Sequence, residues 1–331
     1  MKKILVIQTA FIGDVILATA LIEKLHVYYP DAHIDFLLRK GNEGLLKDHP
    51  YLQEVLIWDK KNGKYKNLFK LLKNIRATKY DLVVNVQRFA ATGLLTAFSK
   101  AKVTIGFDKN PWSFLFSKKV KHIISTPEHP LHEIERNQEL IASLTDNTSA
   151  KPRLYPNFSD FSAVEKYKSQ KYICIAPASV WFTKQFPKEK WVEFISSLSD
   201  QSIYLLGGKD DYRLCEDIIA QSSKTNKITN LAGELSFLQS AALQKDALMN
   251  YVNDSAPMHI ASSMNAPTAA IYCSTIPSFG FGPLSDKRFI IETKENLDCK
   301  PCGLHGHKQC PQGHFKCALT IQKEQLSSLL S

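Results

Sequence analysis

The chain has 331 residues, and this length predicts two domains, because a single hydrophobic core rarely grows beyond about 250 to 300 residues. Apolar residues make up 44% and charged residues 22%, as in ordinary globular proteins, and no apolar run approaches the roughly 20 residues that span a bilayer. The net charge is +10, of which residues 1–150 carry +7. This charge favours an anionic partner, which could be a nucleic acid, an acidic membrane surface or a phosphorylated glycolipid.

The first half alternates short apolar runs with amphipathic segments, a pattern typical of parallel sheets with crossover helices. The N-terminus superficially resembles a signal peptide, but Asp14 interrupts its apolar part, so we interpret it as the first strand of a cytoplasmic protein. The predicted strands are Ile4–Ile7, Ile34–Leu38, Val55–Trp58, Leu82–Val86 and Val103–Ile105, and the predicted helices are Val15–Tyr29, Leu68–Ile75 and His132–Leu144.

The second half repeats the alternation after a segment rich in Ser, Asn, Asp and Pro. The predicted strands are Tyr172–Ala176, Ile203–Leu206, Ala247–Val252 and Thr268–Tyr272, and the predicted helices are Trp191–Leu198, Leu214–Ile219 and Met258–Met264. We therefore predict an α/β chain with two doubly wound, Rossmann-like domains facing a central cleft. They span residues 1–150 and 171–331, with a linker at 151–170.

Asp14 follows the first predicted strand and opens the first helix, which allows two interpretations. A short acid at this place can cap the helix N-terminus, or its carboxylate can serve as a general base in a cleft. The preceding turn, Gln8–Asp14, contains one glycine where the dinucleotide fingerprint needs three. The dinucleotide fingerprint is therefore excluded in this half, which disfavours pyrophosphate binding by the usual glycine-rich turn.

A loop with hydroxyl groups and one lysine follows the first strand of the second half. It contains Ser179, Thr183 and Lys184 and leads into a helix entered at Pro187. Such groups at the carboxyl end of a strand suit phosphate binding, although a lone loop lysine is more often simply solvated.

The run VNDSAPMHIASS joins the end of another strand to a helix start. Asp254, Ser255, Pro257, Met258 and His259 gather there, and free backbone N–H groups at a helix N-terminus bind anions. Capping by Asp254 or Ser255 is the alternative, but caps rarely need an acid, a hydroxyl and an imidazole together.

Two glycine-containing loops in the second half are further candidates. Gly207 and Gly208 end one strand, and Gly233 precedes Glu234 and Leu235. These loops could line an adenine or ribose pocket, or could simply form turns.

Four cysteines cluster in a C-terminal extension, residues 299–317. Cys299, Cys302, Cys310 and Cys317 are spaced C-x2-C-x7-C-x6-C with histidines between them, which is compatible with a structural zinc site or with free or redox-active thiols. We expect bound zinc to fix the extension before a helix at residues 320–330.

A basic helix in the first half has two interpretations. Residues 66–76 carry three lysines and one arginine around an apolar stripe. The stripe predicts a core-facing helix, and the charges would also attract anionic lipid headgroups at a membrane.

Several of these segments together resemble the glycosyltransferase family 9 heptosyltransferases of lipopolysaccharide core assembly. They are GDVILATALIEKL, ASVWFTKQFPKEKW, LAGELSFLQSAAL, NDSAPMHIASSMNAP and the terminal cysteine pattern. The resemblance implies the GT-B architecture, with acceptor bound by the first domain and nucleotide sugar by the second. It also implies inverting transfer of heptose from ADP-heptose to a lipid-linked, anionic acceptor of the inner core, with no metal or other cofactor required for catalysis.

The resemblance also assigns roles to individual residues. Asp14 corresponds to the general base, Lys184 to the lysine that neutralises the leaving diphosphate, and Ser179 to a phosphate-binding hydroxyl. Asp254 corresponds to the acid that holds the heptose, with Ser255 and His259 beside it. The 233–235 loop corresponds to an adenine- or ribose-binding region.

Three departures from the family pattern bear on the donor. Ala256 replaces a usual glycine, Phe186 replaces a usual tryptophan, and the segment APAS lacks a common glycine. A related transferase that uses another nucleotide sugar is therefore the alternative.

Two rival functions are less well supported. A zinc-containing nucleic-acid-binding protein fits the charge and the cysteines, but no basic stripe with interleaved aromatics is present, so no nucleic acid is expected. A nicotinamide oxidoreductase is disfavoured by the missing glycine fingerprint.

Overall fold

A computed structural model describes residues 2–199, 201–223 and 227–330. The chain divides into two compact units, which we call unit 1 (Met1–Ser125 and Leu131–Tyr155) and unit 2 (Thr126–Pro130 and Pro156–Ser331). The boundary after Tyr155 lies inside the predicted linker, and part of that linker is helical.

Unit 1 contains one parallel six-stranded sheet of order β3-β2-β1-β4-β5-β6. Its strands are β1 (Lys3–Ile7), β2 (His33–Arg39), β3 (Leu52–Trp58), β4 (Leu82–Asn85), β5 (Val103–Phe107) and β6 (Lys118–Val120). Its helices are α1 (Ile12–Tyr28), α2 (Lys64–Thr78), α3 (Ala90–Ala97) and α4 (Glu133–Gln138).

Unit 2 repeats this arrangement with the sheet order β12-β11-β10-β7-β8-β9, again with all strands parallel. Its strands are β7 (Tyr172–Ala176), β8 (Ser202–Leu205), β9 (Ile228–Asn230), β10 (Asn250–Asn253), β11 (Thr268–Ile271) and β12 (Arg288–Ile291). Its helices are α5 (Phe158–Val164), α6 (Lys188–Ser197), α7 (Tyr212–Gln221), α8 (Phe237–Lys245), α9 (Ala256–Ser263), α10 (Lys316–Leu319) and α11 (Glu324–Ser327).

In each sheet the strand order reverses at one place, which fixes where a ligand is expected. In unit 1 the reversal lies between β1 and β4, where Ile7 pairs with Asn85, and in unit 2 between β7 and β10, where Ala176 pairs with Val252. Ligands of open α/β sheets bind outside the carboxyl ends of the strands at such a switch point. The segments that follow β1, β4, β7 and β10 are therefore the places to search.

Helices cover the sheets and complete their cores. In unit 1, Leu68 and Ile75 of α2 pack with Leu5 of β1, which confirms the core-facing stripe of that helix. In unit 2, Trp191 and Phe194 of α6 are fully buried in one hydrophobic cluster with Ile173 of β7, and the next residue of that strand, Cys174, lies in another. Burial of each such side chain contributes about 1.5–3 kcal/mol to stability. The central strands are covered on both faces, as is usual in parallel sheets.

The structure corrects several predicted boundaries. The helix predicted over residues 132–144 is α4 followed by a separate 3-10 turn at Ala142–Leu144. The one predicted over 320–330 is only α11 and a 3-10 turn at Ser328–Leu330, and α10 ends just before this range. The strands β6, β9 and β12 were not predicted, because they have only three or four residues and no clear alternation of apolar and polar side chains. In the described residues, none of the helices combines the length and the apolar character needed to cross a bilayer.

Candidate active site

Asp14 lies in the first turn of α1, near the carboxyl end of β1. The helix begins at Ile12, so Phe11 occupies the N-cap position and Asp14 is the third helical residue. The prediction that Asp14 itself is the N-cap is therefore wrong by position. Its Oδ2 still accepts a hydrogen bond from the backbone N–H of Phe11 at 3.1 Å, which is the acidic half of a capping box.

One arginine, Arg136, lies near Asp14, and a second, Arg88, lies near Arg136; neither was predicted. Arg136 lies on α4, which packs against α1, and forms an ion pair with Glu133. Burial first, and then the positive charge of Arg88, lower the pKa of Arg136 to about 10, while the carboxylate of Asp14 opposes the shift. Burial, Arg136 and Arg88 likewise lower the pKa of His122 to about 4. Arg136 thus places a positive charge near Asp14, with Arg88 and His122 close to Arg136.

Buried amides fix the loops on either side of the switch point in unit 1. The Gln87 side chain donates to Oε1 of Gln8, and Oδ1 of Asn85 accepts from the backbone N–H of Gln87 at 2.9 Å. Asn110 Nδ2 donates to the Gln87 carbonyl at 3.0 Å. This network holds the segments after β1 and β4 in place, and Arg88 directly follows one of the residues that it fixes, Gln87.

A partly buried lysine lies at the same edge of the sheet. Lys60 follows β3, and its ammonium donates to the carbonyl and to the hydroxyl of Thr9 at 2.7 and 3.0 Å. Burial, together with the charges of Arg39 and Lys64, lowers the pKa of Lys60 to about 8. Unit 1 therefore concentrates positive charge around the loop that precedes Asp14.

In unit 2 the structure brings together two residues that are 70 positions apart, Lys184 and Asp254. Lys184 ends a 3-10 turn, Phe182–Lys184, after β7, and Asp254 follows β10 directly. Their Nζ and Oδ2 atoms are 2.6 Å apart, and the side chains are only 15% and 8% exposed. The Thr275 hydroxyl donates to the same carboxylate oxygen at 2.7 Å. The result is an ion pair, largely shielded from water, at the switch point of the second sheet.

Asn253 holds the Lys184 loop against β10. Its Oδ1 accepts from the backbone N–H of Phe186 at 2.9 Å, and its Nδ2 donates to the Pro177 carbonyl at 2.8 Å. The side chain is fully buried. Asn253 therefore fixes both ends of the loop that carries Lys184.

The start of α9 does not show the capping that the sequence allowed. Ser255 occupies the N-cap position, but its side chain makes no capping hydrogen bond, and the Asp254 side chain contacts Lys184 and Thr275 instead. Pro257 lies in the first turn, and the buried His259 ring contacts Phe281 edge-on.

Met258 was predicted to bind the donor together with Asp254, Ser255 and His259, but its side chain has different surroundings. Its side chain is fully buried in a hydrophobic cluster of unit 2, where the Tyr272 hydroxyl contacts its sulfur at 3.3 Å. Met258 therefore packs in the core rather than facing the edge of the sheet.

The two predicted hydroxyl residues also differ from each other. Ser179 is half-buried in the loop after β7, and its carbonyl accepts from the Gln185 side chain. Thr183 is buried, and its hydroxyl already accepts from Ser274 Oγ at 3.0 Å and from the His307 N–H at 2.7 Å. Thr183 therefore joins segments of the protein to one another.

The two glycine-containing loops lie side by side after β8 and β9. The Gly233 N–H donates to the Gly207 carbonyl at 2.9 Å, and Gly208 donates to the Asp211 carboxylate at 2.8 Å. Gly233 has φ +81°, a conformation that favours glycine. These contacts support the turn interpretation. Glu234, which follows Gly233, is exposed, and Leu235 is half-buried.

The structure does not confirm a zinc site in the cysteine cluster, which was one of the two possibilities that the spacing allowed. Among residues 2–199, 201–223 and 227–330, no group of three or more His, Cys, Asp or Glu side chains could hold a metal ion. Cys317 is buried in the core on α10, whereas Cys299, Cys302 and Cys310 are half-buried in the preceding loop. Burial first, and then the neighbouring thiols, raise the pKa of Cys317 to about 11.

The chain is a two-domain α/β protein with charged groups near the switch point of each sheet. The model of glycosyltransferase family 9 (heptosyltransferase) matches residues 68–315. Lipopolysaccharide heptosyltransferase 3 of Escherichia coli is 30% identical over 283 residues, which cover 80% of this chain and 82% of the relative. The chain therefore belongs to glycosyltransferase family 9 and is a glycosyltransferase.

Solved structures agree on the fold. A family 9 glycosyltransferase from Veillonella parvula superposes with a TM-score of 0.86 at 21% identity, covering 99% of this chain and 97% of that one. The ADP-heptose lipopolysaccharide heptosyltransferase II of Escherichia coli gives 0.79 at 23% identity, covering 100% and 98%. The predicted GT-B architecture of two Rossmann-like domains is confirmed.

Proposed function

We propose that this protein transfers heptose from ADP-heptose, with inversion, to an anionic, lipid-linked acceptor of the lipopolysaccharide inner core. The observation that carries the proposal is the shielded Lys184–Asp254 pair at the switch point of the second sheet. One cation for a diphosphate and one carboxylate for sugar hydroxyls are the groups that binding of a nucleotide sugar requires. The names of the relatives, lipopolysaccharide heptosyltransferases, support the same donor and acceptor.

In the proposed reaction Asp14 is the general base. Its carboxylate takes the proton of the acceptor hydroxyl while that oxygen forms a bond to the anomeric carbon of the heptose. The bond from the anomeric carbon to the ADP oxygen breaks on the opposite face, so the configuration inverts. Arg136 offers a counter-charge to Asp14, and the exposed Arg88 supplies a cation for an anionic group of the acceptor.

Lys184 has the complementary role at the leaving group. Its ammonium would exchange Asp254 for the diphosphate, whose negative charge grows as the glycosidic bond breaks. The released carboxylate of Asp254 would then accept hydrogen bonds from heptose hydroxyls, with Ser255 and His259 beside it. The protein thus supplies the stabilising cation itself, so the proposed transfer requires no divalent metal.

The two units would divide the substrates between them. We assign the acceptor to unit 1, which holds Asp14, Arg88 and Lys60, and the nucleotide sugar to unit 2. Within unit 2, the loop that contains Glu234 would approach the adenine or ribose.

Peripheral contact with an anionic membrane would bring the enzyme to its lipid-linked acceptor. Helix α2 carries five basic residues and no acidic residue. Two aromatic side chains on it, Tyr65 and Phe69, are 67% and 59% exposed and lie four residues apart, hence on one face. Exposed aromatics beside lysines are typical of helices that lie in the interface of anionic membranes.

The direct test of the base is Asp14→Asn. Asparagine keeps an oxygen that can accept from Phe11 N–H but cannot take a proton at neutral pH, so we expect transfer to fall by at least about a hundredfold. ADP release from ADP-heptose in the presence of an acceptor lipopolysaccharide lacking that heptose measures the rate. Calorimetry with ADP-heptose is the control and should give an unchanged affinity. Wild-type turnover of the variant would refute the assignment.

The donor is tested separately. Calorimetry should show selective binding of ADP-heptose over ADP-glucose and UDP-glucose. Tighter binding of another nucleotide sugar would leave the transferase assignment intact and refute heptose as the transferred group.

A further inference from the structure

The cysteine-rich extension lies directly against the loop that carries Lys184. The backbone N–H of Thr183 donates to the His307 carbonyl at 3.1 Å, and the His307 N–H donates back to the Thr183 hydroxyl at 2.7 Å. These reciprocal bonds join positions 124 residues apart in the chain. The residue next to Lys184 is therefore fixed by the extension.

The extension is itself anchored to the sheet. The Cys302 N–H donates to the Ser274 carbonyl at 2.8 Å, and the Lys300 ammonium donates to the Tyr272 carbonyl at 3.0 Å. Both acceptors follow β11, and Ser274 Oγ also donates to the Thr183 hydroxyl at 3.0 Å. The extension, the end of β11 and the Lys184 loop thus share one set of hydrogen bonds.

Gly306 allows the backbone of the extension to lie close to the Lys184 side chain. Its φ is +75°, and a Cβ added there would lie 2.9 Å from Lys184 Cγ, 3.1 Å from Thr183 Oγ1 and 3.3 Å from Trp181 Cβ. The first of these distances is too short for a carbon–carbon contact. The backbone of the extension therefore packs on the aliphatic stem of Lys184, and a larger residue at this position would displace that stem.

We infer that Gly306 and His307 are positioning residues for the transfer and that they fix the place of the Lys184 ammonium in the donor site. This inference rests on the proposed role of Lys184. A lysine stem has four rotatable bonds, and a packed wall reduces the number of positions that its charge can take. An ammonium held in place before the donor arrives needs less rearrangement when the diphosphate leaves.

The test compares Gly306→Ala with Gly303→Ala. Gly303 lies in the same extension, has φ +76° and has no atom within 4 Å of an added Cβ. The two glycines have nearly the same φ, so a difference between the variants reports the contacts of the added Cβ with the Lys184 loop. We expect Gly306→Ala to weaken ADP binding and to lower kcat by about tenfold or more, and Gly303→Ala to match the wild type. Equal losses in the two variants would overturn the inference.

A double-mutant cycle distinguishes positioning from a general structural effect. In a Lys184→Ala background, Gly306→Ala should cause no further loss of ADP affinity, because the group that it displaces is absent. An additional loss of the same size as in the wild-type background would overturn the inference. If Lys184→Ala itself binds ADP and turns over normally, the proposed function of Lys184 fails, which is a separate outcome.

A second variant covers the case in which Gly306→Ala does not fold. Thr183→Val keeps the shape of the side chain but removes the hydroxyl that joins His307 to Ser274. We expect the same combination of weaker ADP binding and slower transfer, again absent in the Lys184→Ala background. Full ADP affinity and kcat in Thr183→Val would contradict the inference.

Discussion

Replacement of Lys184 by methionine should both destabilise unit 2 and weaken donor binding. Methionine keeps most of the volume of the stem and removes the ammonium 2.6 Å from Asp254. Removal of one partner from a buried pair costs about 3–5 kcal/mol, because the other charge is left uncompensated. The Thr275 hydroxyl still donates to the carboxylate, and the lysine is partly exposed, so we expect a loss of about 2–3 kcal/mol in the free energy of unfolding.

Urea unfolding followed by tryptophan fluorescence measures this loss, because Trp191 lies in the core of unit 2. The matched control is the double variant Lys184→Met with Asp254→Asn, which removes both charges and should recover most of the stability. ADP affinity should nevertheless fall by about tenfold to a hundredfold in both variants, because a charge-assisted contact contributes about 1.5–3 kcal/mol. A Lys184→Met protein with wild-type unfolding and wild-type ADP affinity would refute both the shielded pair and its role.

Three further perturbations are informative. Burial lowers the pKa of His49 from 6.5 to about 4, so its neutral form stabilises the fold fully above about pH 6.5. As the pH falls to 4, the wild type should lose up to about 3 kcal/mol in its free energy of unfolding. The His49→Gln variant, measured by urea unfolding at the same pH values, should lose less. The same dependence of stability on pH in the two proteins would contradict this. Asn253→Ala should destabilise unit 2 by about 1–3 kcal/mol in urea unfolding, because it leaves the Phe186 N–H without its acceptor. An unchanged urea midpoint would count against the role of Asn253 in holding the Lys184 loop. Serine at both Tyr65 and Phe69 should weaken sedimentation with phosphatidylglycerol vesicles about tenfold, and equal binding by wild type and variant would exclude these side chains from a membrane contact.

The sequence predicts the fold class well because the period of apolar residues is a local signal. Two sets of alternating strands and helices indicate two parallel sheets before any contact is known. The order of strands is not local. The Lys184–Asp254 pair forms only because β7 lies beside β10, and the sequence between these two strands does not indicate that they are neighbours. The two residues could therefore be chosen as candidates one by one, but not as partners.

Other parts of the site depend on contacts that the chain makes at long range. Arg88 follows the strand next to β1 and could have been found by inspecting every strand end, whereas Arg136 has no local signal that distinguishes it from a solvated helical arginine. The position of Asp14 was misjudged because capping preferences favour an acid at the N-cap and do not anticipate Phe11 there. The cysteine spacing permitted zinc, but it carried no information that Cys317 would be buried on α10.

The contact between His307 and Thr183 also has a consequence for biosynthesis. The Lys184 loop leaves the ribosome early in the making of unit 2, whereas His307, which bonds Thr183 in this loop, is translated 124 residues later. Until residue 307 has emerged, a nascent chain can build both sheets and still lack the two hydrogen bonds between His307 and Thr183. The donor-binding edge is thus completed only after the last strand of its sheet, and a chain that stops before the extension would have its strands but an unfinished site.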